Sequence, residues 1–217
     1  MLYYNTINPD LHNYLSRLMQ SNVFNDFYLV GGTALSLQLG HRISVDIDLF
    51  TNQPYGTINL DRVKEELLSL FPIVENIKCL NYRQMVYSLF VGDSVESIIK
   101  LDLCYDEQPI FPIIDIDGIR MASYKEIAAM KMLAIVTGNR CKDFWDIHEL
   151  INKYSLNSMI SWGLERNPYT LSRTEILEAF NKVWDLPDHT EIITLKDYKW
   201  PFIADELYSL ARQLLKQ

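Results

Sequence analysis

The spacing of hydrophobic residues changes along the chain, and the change separates a mixed first half from a helical second half. In the first half, the pattern predicts one helix that starts at Pro9 and two more at 33–39 and 58–71. It also predicts strands at 27–30, 45–50, 73–80, 85–91 and 95–105. After residue 118 the helical period dominates and predicts helices at 123–137, 142–153, 156–165, 173–184 and 203–216. The pattern therefore predicts an α+β fold, with a small mixed-sheet domain at 1–118 followed by a helical domain at 119–217.

Short glycine, proline and hydroxyl signals predict how several of these elements begin and end. Gly40 is expected to end the second helix in a left-handed conformation, and Gly92-Asp93 is expected to form a tight hairpin turn. Residues 123–126 and 172–175 both have the Ser-x-x-Glu spacing of a capping box. The proline-containing stretch 109–118 predicts a connection between the two domains.

The composition is that of a globular protein, with 48% hydrophobic and 22% charged residues, which argues against disorder and against a coiled coil. No apolar run reaches the roughly 18 residues that a membrane helix needs, and the first residues carry no secretory signal. The three cysteines are scattered and match no metal-ligand spacing. We therefore expect a reduced, cytoplasmic protein that does not enter a membrane.

The formal net charge of −8 is distributed unevenly. The acidic excess lies entirely within residues 1–118, whereas residues 119–217 are balanced. Acidic chemistry is therefore expected in the first half. The same distribution removes the simplest argument for nucleic-acid binding, a strongly basic surface, although a local basic patch is compatible with it.

Two glycines and a threonine stand where a predicted strand runs into a helix, and a pair of aspartates stands on the next strand. Gly31 and Gly32 allow the backbone to approach a ligand closely, and the helix N-terminus with the Thr33 hydroxyl is suited to a phosphate. Asp46 and Asp48 are two residues apart on a strand, so their carboxylates share one face. Each motif alone is weak, but together, in a strand–helix–strand context, they favour a functional site.

A third carboxylate, Asp102, lies on another predicted strand, two residues after Lys100. If that strand is a neighbour of the Asp46/Asp48 strand, three carboxylates converge, and their oxygens suit Mg²⁺ or Mn²⁺. Such a site can hold two ions for a displacement at phosphorus. Lys100 would share a strand face with Asp102, where it could offset the repulsion, stabilise charge on a phosphate, or form a structural ion pair.

The stretch VGGTALSLQLGHRISVDIDLF, residues 30–50, resembles the signature of the nucleotidyltransferase superfamily with the polymerase-β-like fold. Its form is similar to that of the AbiEii/AbiGii toxin family. Three further stretches resemble later motifs of that family in the same order: 99–102, 123–134 and 140–146. The resemblance covers roughly residues 27–150, and residues 151–217 match no motif.

The resemblance implies a role for each matching residue of the first half. Gly31, Gly32 and Thr33 would hold the triphosphate of an NTP. Asp46 and Asp48 would bind the divalent ions, and Asp102 would complete the metal site and help to deprotonate the attacking hydroxyl.

Other charged residues of the matching motifs have two possible roles. Arg42 and Ser44 could reach phosphate oxygens, or be a surface arginine and a turn serine. Lys131 interrupts an apolar run, which indicates a phosphate or an aspartate as its partner. Asp143 and Asp146 lie one helical turn apart, where they could contact the nucleotide or hold Arg140 and Lys142 in place.

By this resemblance, the chain is expected to transfer NMP from an NTP to an acceptor hydroxyl, at the 3′ end of tRNA or on a protein. It would be the toxin of a toxin–antitoxin or abortive-infection pair, with a cognate antitoxin as partner. Two alternatives remain at this point. One is an antibiotic nucleotidyltransferase, against which the motifs at Lys131 and 140–146 argue. The other is a non-catalytic nucleotide-binding or interaction module, which the three intact carboxylates disfavour.

Overall fold

A computed structural model describes residues 1–81, 86–106, 108–138, 140–186 and 192–216, with the backbone alone for 76–81 and 86. The chain forms two compact units. The first contains Met1–Gly40 and Ser44–Ala122, and the second contains His41–Ile43 and Ser123–Gln217. The division after Ala122 differs from the predicted boundary at 118 because residues 119–122 form a strand of the first unit.

The described residues form seven strands and eight α-helices. The strands are β1 (Tyr28–Leu29), β2 (Ile47–Thr51), β3 (Ile73–Asn81), β4 (Val86–Gly92), β5 (Ile99–Tyr105), β6 (Ile113–Ile116) and β7 (Ile119–Ala122). The helices are α1 (Pro9–Gln20), α2 (Gly31–Leu39), α3 (Leu60–Leu70), α4 (Tyr124–Gly138), α5 (Cys141–Ile151), α6 (Leu156–Arg166), α7 (Arg173–Asn181) and α8 (Trp200–Leu214). Every predicted helix is present, with ends shifted by a few residues.

All seven strands belong to one mixed sheet of the first unit, in the order β3-β4-β5-β2-β1-β7-β6. Strand β2 pairs in parallel with β5 and antiparallel with β1, so it lies inside the sheet. Its residues alternate between buried and half-buried, and Ile47 and Leu49 are fully buried. This alternation places the apolar side chains in the core and the intervening aspartate on the other face. The predicted α+β class is confirmed.

Two predicted connections are wrong. The link between β4 and β5 is a hairpin, but residues 93–98 form a longer loop with one turn of 3₁₀-helix at Val95–Ser97 instead of a tight turn. The stretch 109–118, predicted as an inter-domain connection, contains β6 and the turn of the β6–β7 hairpin, where Asp117 and Gly118 have positive φ. Met85, the predicted start of the fourth strand, lies outside the described residues.

Helix α2 begins and ends at glycines, as the sequence predicts. It begins at Gly31 and ends at Gly40, which has φ of +68° and whose N–H donates a hydrogen bond to the carbonyl of Ser36. The helix is hydrophobic around most of its circumference, and six of its nine residues are buried. It is therefore a core helix, whose position is fixed by packing on all sides.

In the second unit, α4 packs against α5, α6 and α7. Glu126, predicted to complete a capping box with Ser123, is buried and accepts a hydrogen bond of 2.6 Å from Arg166 Nε on α6. The N–H of Glu126 donates to the Ser123 hydroxyl over 3.4 Å, which is one half of the predicted box, and the other half stays a prediction. The second predicted box, between Ser172 and Glu175, is confirmed.

None of the helices in the described part of the chain is both long and apolar enough to cross a membrane.

Candidate active site

The start of α2 brings backbone against a carboxylate of β2. Gly31 has φ of +69°, and a Cβ atom at this position would lie 2.6 Å from Asp48 Oδ2. The N–H of Val30 donates to the carbonyl of Asp48 over 2.9 Å. Glycine is therefore required at position 31 both by the left-handed backbone and by the space that Asp48 occupies. Gly32 follows as the second residue of the helix.

Two hydroxyl groups fix the segment that leads into β2. The buried Thr33 hydroxyl donates to the backbone carbonyl of Asp46, and Thr33 Oγ1 lies 2.8 Å from Ser44 Oγ. Ser44 is also buried, and its N–H donates to the carbonyl of Thr6 over 2.8 Å. Both side chains thus hold the backbone around Asp46. Their contact with a phosphate stays a prediction.

The two strands that carry the aspartates are adjacent in the sheet, as predicted. In the parallel β2–β5 pair, Asp48 is the register partner of Asp102. Both carboxylates are half-buried, and Asp46, just before β2, is half-buried as well. Like charges placed this close raise the free energy of the folded protein unless a cation lies among them.

Lys100 supplies such a cation within the protein. Its ammonium group pairs with Asp102 Oδ2. Partial burial acts to lower the pKa of Lys100, but the hydrogen bond to Asp102 and the charges of Asp102, Asp48 and Asp46 outweigh it and raise the pKa above its usual value. All three carboxylates are therefore close enough to act on one ammonium group.

Ser88 on β4 is a site residue that the sequence did not reveal. It is the antiparallel register partner of Asp102, and its hydroxyl donates to Asp102 Oδ1 over 2.6 Å. The side chain is buried. The only sequence signal was one serine among the mainly apolar residues 86–91, and that signal acquires meaning only when the strand register is known.

The residues around Asp48 have oxygen donors that suit a divalent ion. Among the residues that the structure describes, no three His, Cys, Asp or Glu side chains form a ready ligand set. The donor chemistry nevertheless fits a hard cation, because Asp46, Asp48 and Asp102 offer carboxylate oxygens in one neighbourhood. Lys100 and Ser88 already contact the two oxygens of Asp102, so an ion would share that carboxylate with them.

The remaining predicted site residues meet in an ion network within the second unit. Asp146 is fully buried, and Arg42 binds it through Nε at 2.7 Å and Nη2 at 3.0 Å. His41 Nε2 lies 2.8 Å from the same carboxylate, and Lys131 Nζ lies 2.6 Å from it. Lys131 also pairs with the fully buried Asp143. The interpretation of Arg42 as a surface residue is wrong, since its exposed fraction is 5%.

Burial and charge act in opposite directions on this network. Burial alone would raise the pKa of Asp146, but the charges of Arg42 and Lys131 hold it well below its usual value. Burial would lower the pKa of Lys131, and the charges of Asp146 and Asp143 raise it instead. Asp146 and Lys131 are therefore both ionised at neutral pH. Asp143 also accepts a bond of 2.9 Å from Arg140.

Comparison with solved structures identifies the class of fold. A protein of H. pylori, solved as a candidate nucleotidyltransferase, aligns with a TM-score of 0.60 at 20% identity, over 95% of this chain and 92% of that protein. MenT4, the nucleotidyltransferase toxin Rv2826c of Mycobacterium tuberculosis, aligns with a TM-score of 0.51 at 13% identity, over 94% and 82%. The fold is that of the nucleotidyltransferases.

The sequence narrows this class to a family. Residues 13–176 match the family described as nucleotidyl transferase AbiEii toxin, type IV TA system. The chain belongs to the AbiEii nucleotidyltransferase toxin family.

A curated relative also matches the chain. The protein aq_aa25 of Aquifex aeolicus is 32% identical over 145 residues. The alignment covers 64% of this chain and 65% of that protein, which is slightly less than two thirds of its length.

Proposed function

We propose that the protein transfers a nucleoside monophosphate from an NTP to an acceptor hydroxyl. The oxygen of the acceptor forms a bond to the α-phosphorus, the bond from that phosphorus to the bridging oxygen breaks, and pyrophosphate leaves. The observation that carries the proposal is the pairing of Asp48 with Asp102 on adjacent parallel strands, with the backbone of Gly31 against Asp48. This arrangement supports a carboxylate site beside a phosphate-binding helix start.

The side chains of the first unit have separate tasks in this reaction. Gly31, Gly32 and Thr33 begin a helix whose free N–H groups can bind the triphosphate. Asp102, held by Ser88, is the group that we propose accepts the proton of the attacking hydroxyl. Lys100 neutralises part of the negative charge that the carboxylates and the triphosphate bring together.

The donor set suits two Mg²⁺ or Mn²⁺ ions, which Asp46, Asp48 and Asp102 would hold. When bound, such ions neutralise charge on the attacking and leaving oxygens. The nucleotide-binding role of Arg42, Ser44, Lys131, Asp143 and Asp146 also stays a proposal. The ion pairs among the four charged side chains favour the alternative in which they hold one another.

The proposed acceptor is an RNA 3′ end, with a protein hydroxyl as the other candidate. The family to which the chain belongs supports a role as the toxin of a toxin–antitoxin pair in the cytoplasm, with an antitoxin as the binding partner.

The function is tested by incubating the purified protein with Mg²⁺, each of four α-³²P-labelled NTPs, and either total RNA or total protein. We expect label in RNA of one size class, and none with Asp48→Ala or with EDTA. Label in protein would identify the other acceptor class. Absence of label from both, with NTP binding intact, would contradict an RNA or protein acceptor and favour a small-molecule acceptor or a non-catalytic module.

Replacing Gly31 by alanine is expected to remove transfer activity, because the new Cβ occupies the position of Asp48 Oδ2 and displaces that carboxylate. The matched control is Gly56→Ala. Gly56 also has a positive φ, of +82°, but a Cβ atom added there would have no neighbouring atom within 4 Å. Both changes carry a backbone strain of about 1–2 kcal/mol, measurable by urea unfolding. Equal activity in the two variants would contradict the role of position 31.

Replacing Ser88 by alanine is expected to lower kcat about fivefold with KM unchanged, because one hydrogen bond of about 1 kcal/mol that orients Asp102 is lost. Ser88→Thr keeps the hydroxyl and should restore most of kcat. A proportional change in the fraction of folded protein, with kcat per folded molecule unaltered, would assign Ser88 to stability alone.

A further inference from the structure

An aromatic cluster lies on the second unit. It contains Tyr124 at the start of α4, Tyr154 just after α5, and Trp162 on α6. The ring centroids of Tyr124 and Tyr154 are 5.9 Å apart, and those of Tyr154 and Trp162 are 5.0 Å apart. Three elements thus contribute one ring each to a continuous row, which we call the aromatic row.

Two lysines accompany the aromatic row. Lys125 Nζ lies 5.6 Å from the ring centroid of Tyr154 and 5.7 Å from that of Trp162. Lys153 Nζ lies 5.5 Å from the centroid of Tyr124. These distances are within the range of cation–π attraction. The surface therefore combines π faces with two ammonium groups.

The exposure of these side chains separates them from the core of the unit. All three rings and Lys125 are half-buried, and Lys153 is exposed. The next residues of α4, Ile127, Ala128 and Ala129, are fully buried. The buried packing of α4 therefore begins after its first turn, and the half-buried side chains of the aromatic row retain accessible area for a ligand.

The chemistry of the row suits a polyanion with planar groups. Partial burial and the hydrogen bond with Tyr124 raise the pKa of Tyr154 to about 12, so this phenol adds no negative charge at neutral pH. The lysines give the surface a positive charge within a protein of net charge −8. Alternating aromatic faces and cations is how proteins bind unpaired nucleotides, whose bases stack and whose phosphates pair with lysine.

We propose that Tyr124, Tyr154 and Trp162, with Lys125 and Lys153, bind unpaired nucleotides of a nucleic-acid strand. This proposal deepens the proposed function, on which it rests for the identity of the strand as an acceptor RNA. Bases stack on the rings, and phosphates pair with the two ammonium groups. The aromatic row would then let a protein with a formal net charge of −8 bind a polyanion locally.

The test measures binding of a fluorescein-labelled 12-nucleotide single-stranded RNA to the full chain by anisotropy, without NTP, at several salt concentrations. We expect Trp162→Leu to weaken binding about tenfold, since a stacked base contributes about 1–3 kcal/mol. Lys153→Gln should reduce the slope of the logarithm of the binding constant against the logarithm of the salt concentration by about one unit. Tyr154→Phe, which keeps the ring, should bind as the wild type does, whereas Tyr154→Leu should not.

The matched controls are Trp184→Leu and Lys182→Gln. Trp184 is 48% exposed, and Lys182 is exposed on the same unit. Wild-type affinity in Trp162→Leu, or an equal loss in the control variants, would overturn the proposal. Equal competition by polyglutamate at the same charge concentration would also overturn it, because the site would then recognise charge without bases. If Trp162→Leu fails to fold, Lys153→Gln still tests the proposal, because Lys153 is exposed and its replacement should not disturb the fold.

Two arms separate this proposal from the proposed function. A DNA strand of the same sequence distinguishes the two sources of unpaired nucleotides, and preferential binding of the RNA supports its role as acceptor. Label transfer to RNA with unaltered binding in every row variant would leave the proposed function standing and overturn the aromatic row. RNA binding that depends on the row, without transfer to any acceptor, would support the row and contradict the proposed reaction.

Discussion

Asp48→Asn is expected to reduce nucleotidyl transfer by at least about a thousandfold, because a divalent ion held by this carboxylate contributes several kcal/mol to stabilising the transition state. The fold should be retained. Asp48 stands opposite Asp102 on the adjacent strand and near the same lysine as Asp46, so removing its charge relieves repulsion. We expect the free energy of unfolding to stay equal to that of the wild type or to rise.

The measurement pairs a transfer assay with urea unfolding of the same preparations. Asp115→Asn is the matched control, since Asp115 is an exposed aspartate on β6 of the same sheet. It should retain full activity. An Asp48→Asn protein with near-normal activity would exclude a metal site built on this carboxylate, and an unfolded one would assign Asp48 to structure.

Asp146→Asn is expected to lower the free energy of unfolding by about 3–5 kcal/mol, the usual result of removing one partner of a buried ion pair. Arg42 and Lys131 both contact this carboxylate, and both are buried. The amide removes the carboxylate that Arg42 and Lys131 share, and Lys131 keeps only its pair with Asp143. The exposed Asp205→Asn on α8 should change the free energy by no more than about 0.5 kcal/mol.

The pH dependence of unfolding provides a second measurement of the same group. The folded protein holds the pKa of Asp146 well below its unfolded value. The contribution of the Asp146 charge to the free energy of unfolding is therefore complete above about pH 4 and is lost as the pH falls below that value. The difference between wild type and Asp146→Asn should therefore narrow in acid. A difference that stays constant from pH 7 to pH 3 would show that the charge of Asp146 contributes no stability.

The sequence predicted the parts of the fold that local chemistry determines. The start of α2 at the two glycines, its end at Gly40 and the alternation of β2 all depend on residues within one element. The sequence also predicted that Asp48 and Asp102 lie close together, but only if their two strands are adjacent. No local signal states which strands are adjacent, and it was the family resemblance that indicated this arrangement.

The features that the sequence did not reveal depend on distant partners. Ser88 gains its role from antiparallel register with Asp102. Glu126 forms a buried ion pair with Arg166, forty residues later, and no local pattern indicates this partner. Residues 113–116 form a strand because β7 is available for pairing, although the neighbouring prolines and polar residues indicated a connection. In each case the feature depends on a tertiary contact that the local sequence does not state.

The short segment His41–Ile43 has a consequence for how the protein is made. The segment pairs with residues synthesised much later: Ile43 N–H donates to the carbonyl of Ile193, Leu195 N–H donates to the carbonyl of His41, and Arg42 forms a β-bridge with Thr194. A nascent chain on the ribosome therefore lacks these partners until residues 193–195 have left the exit tunnel. The signature stretch between α2 and β2 is completed only after residues 193–195 have been synthesised, so products that terminate before residue 193 are released without it in its final form.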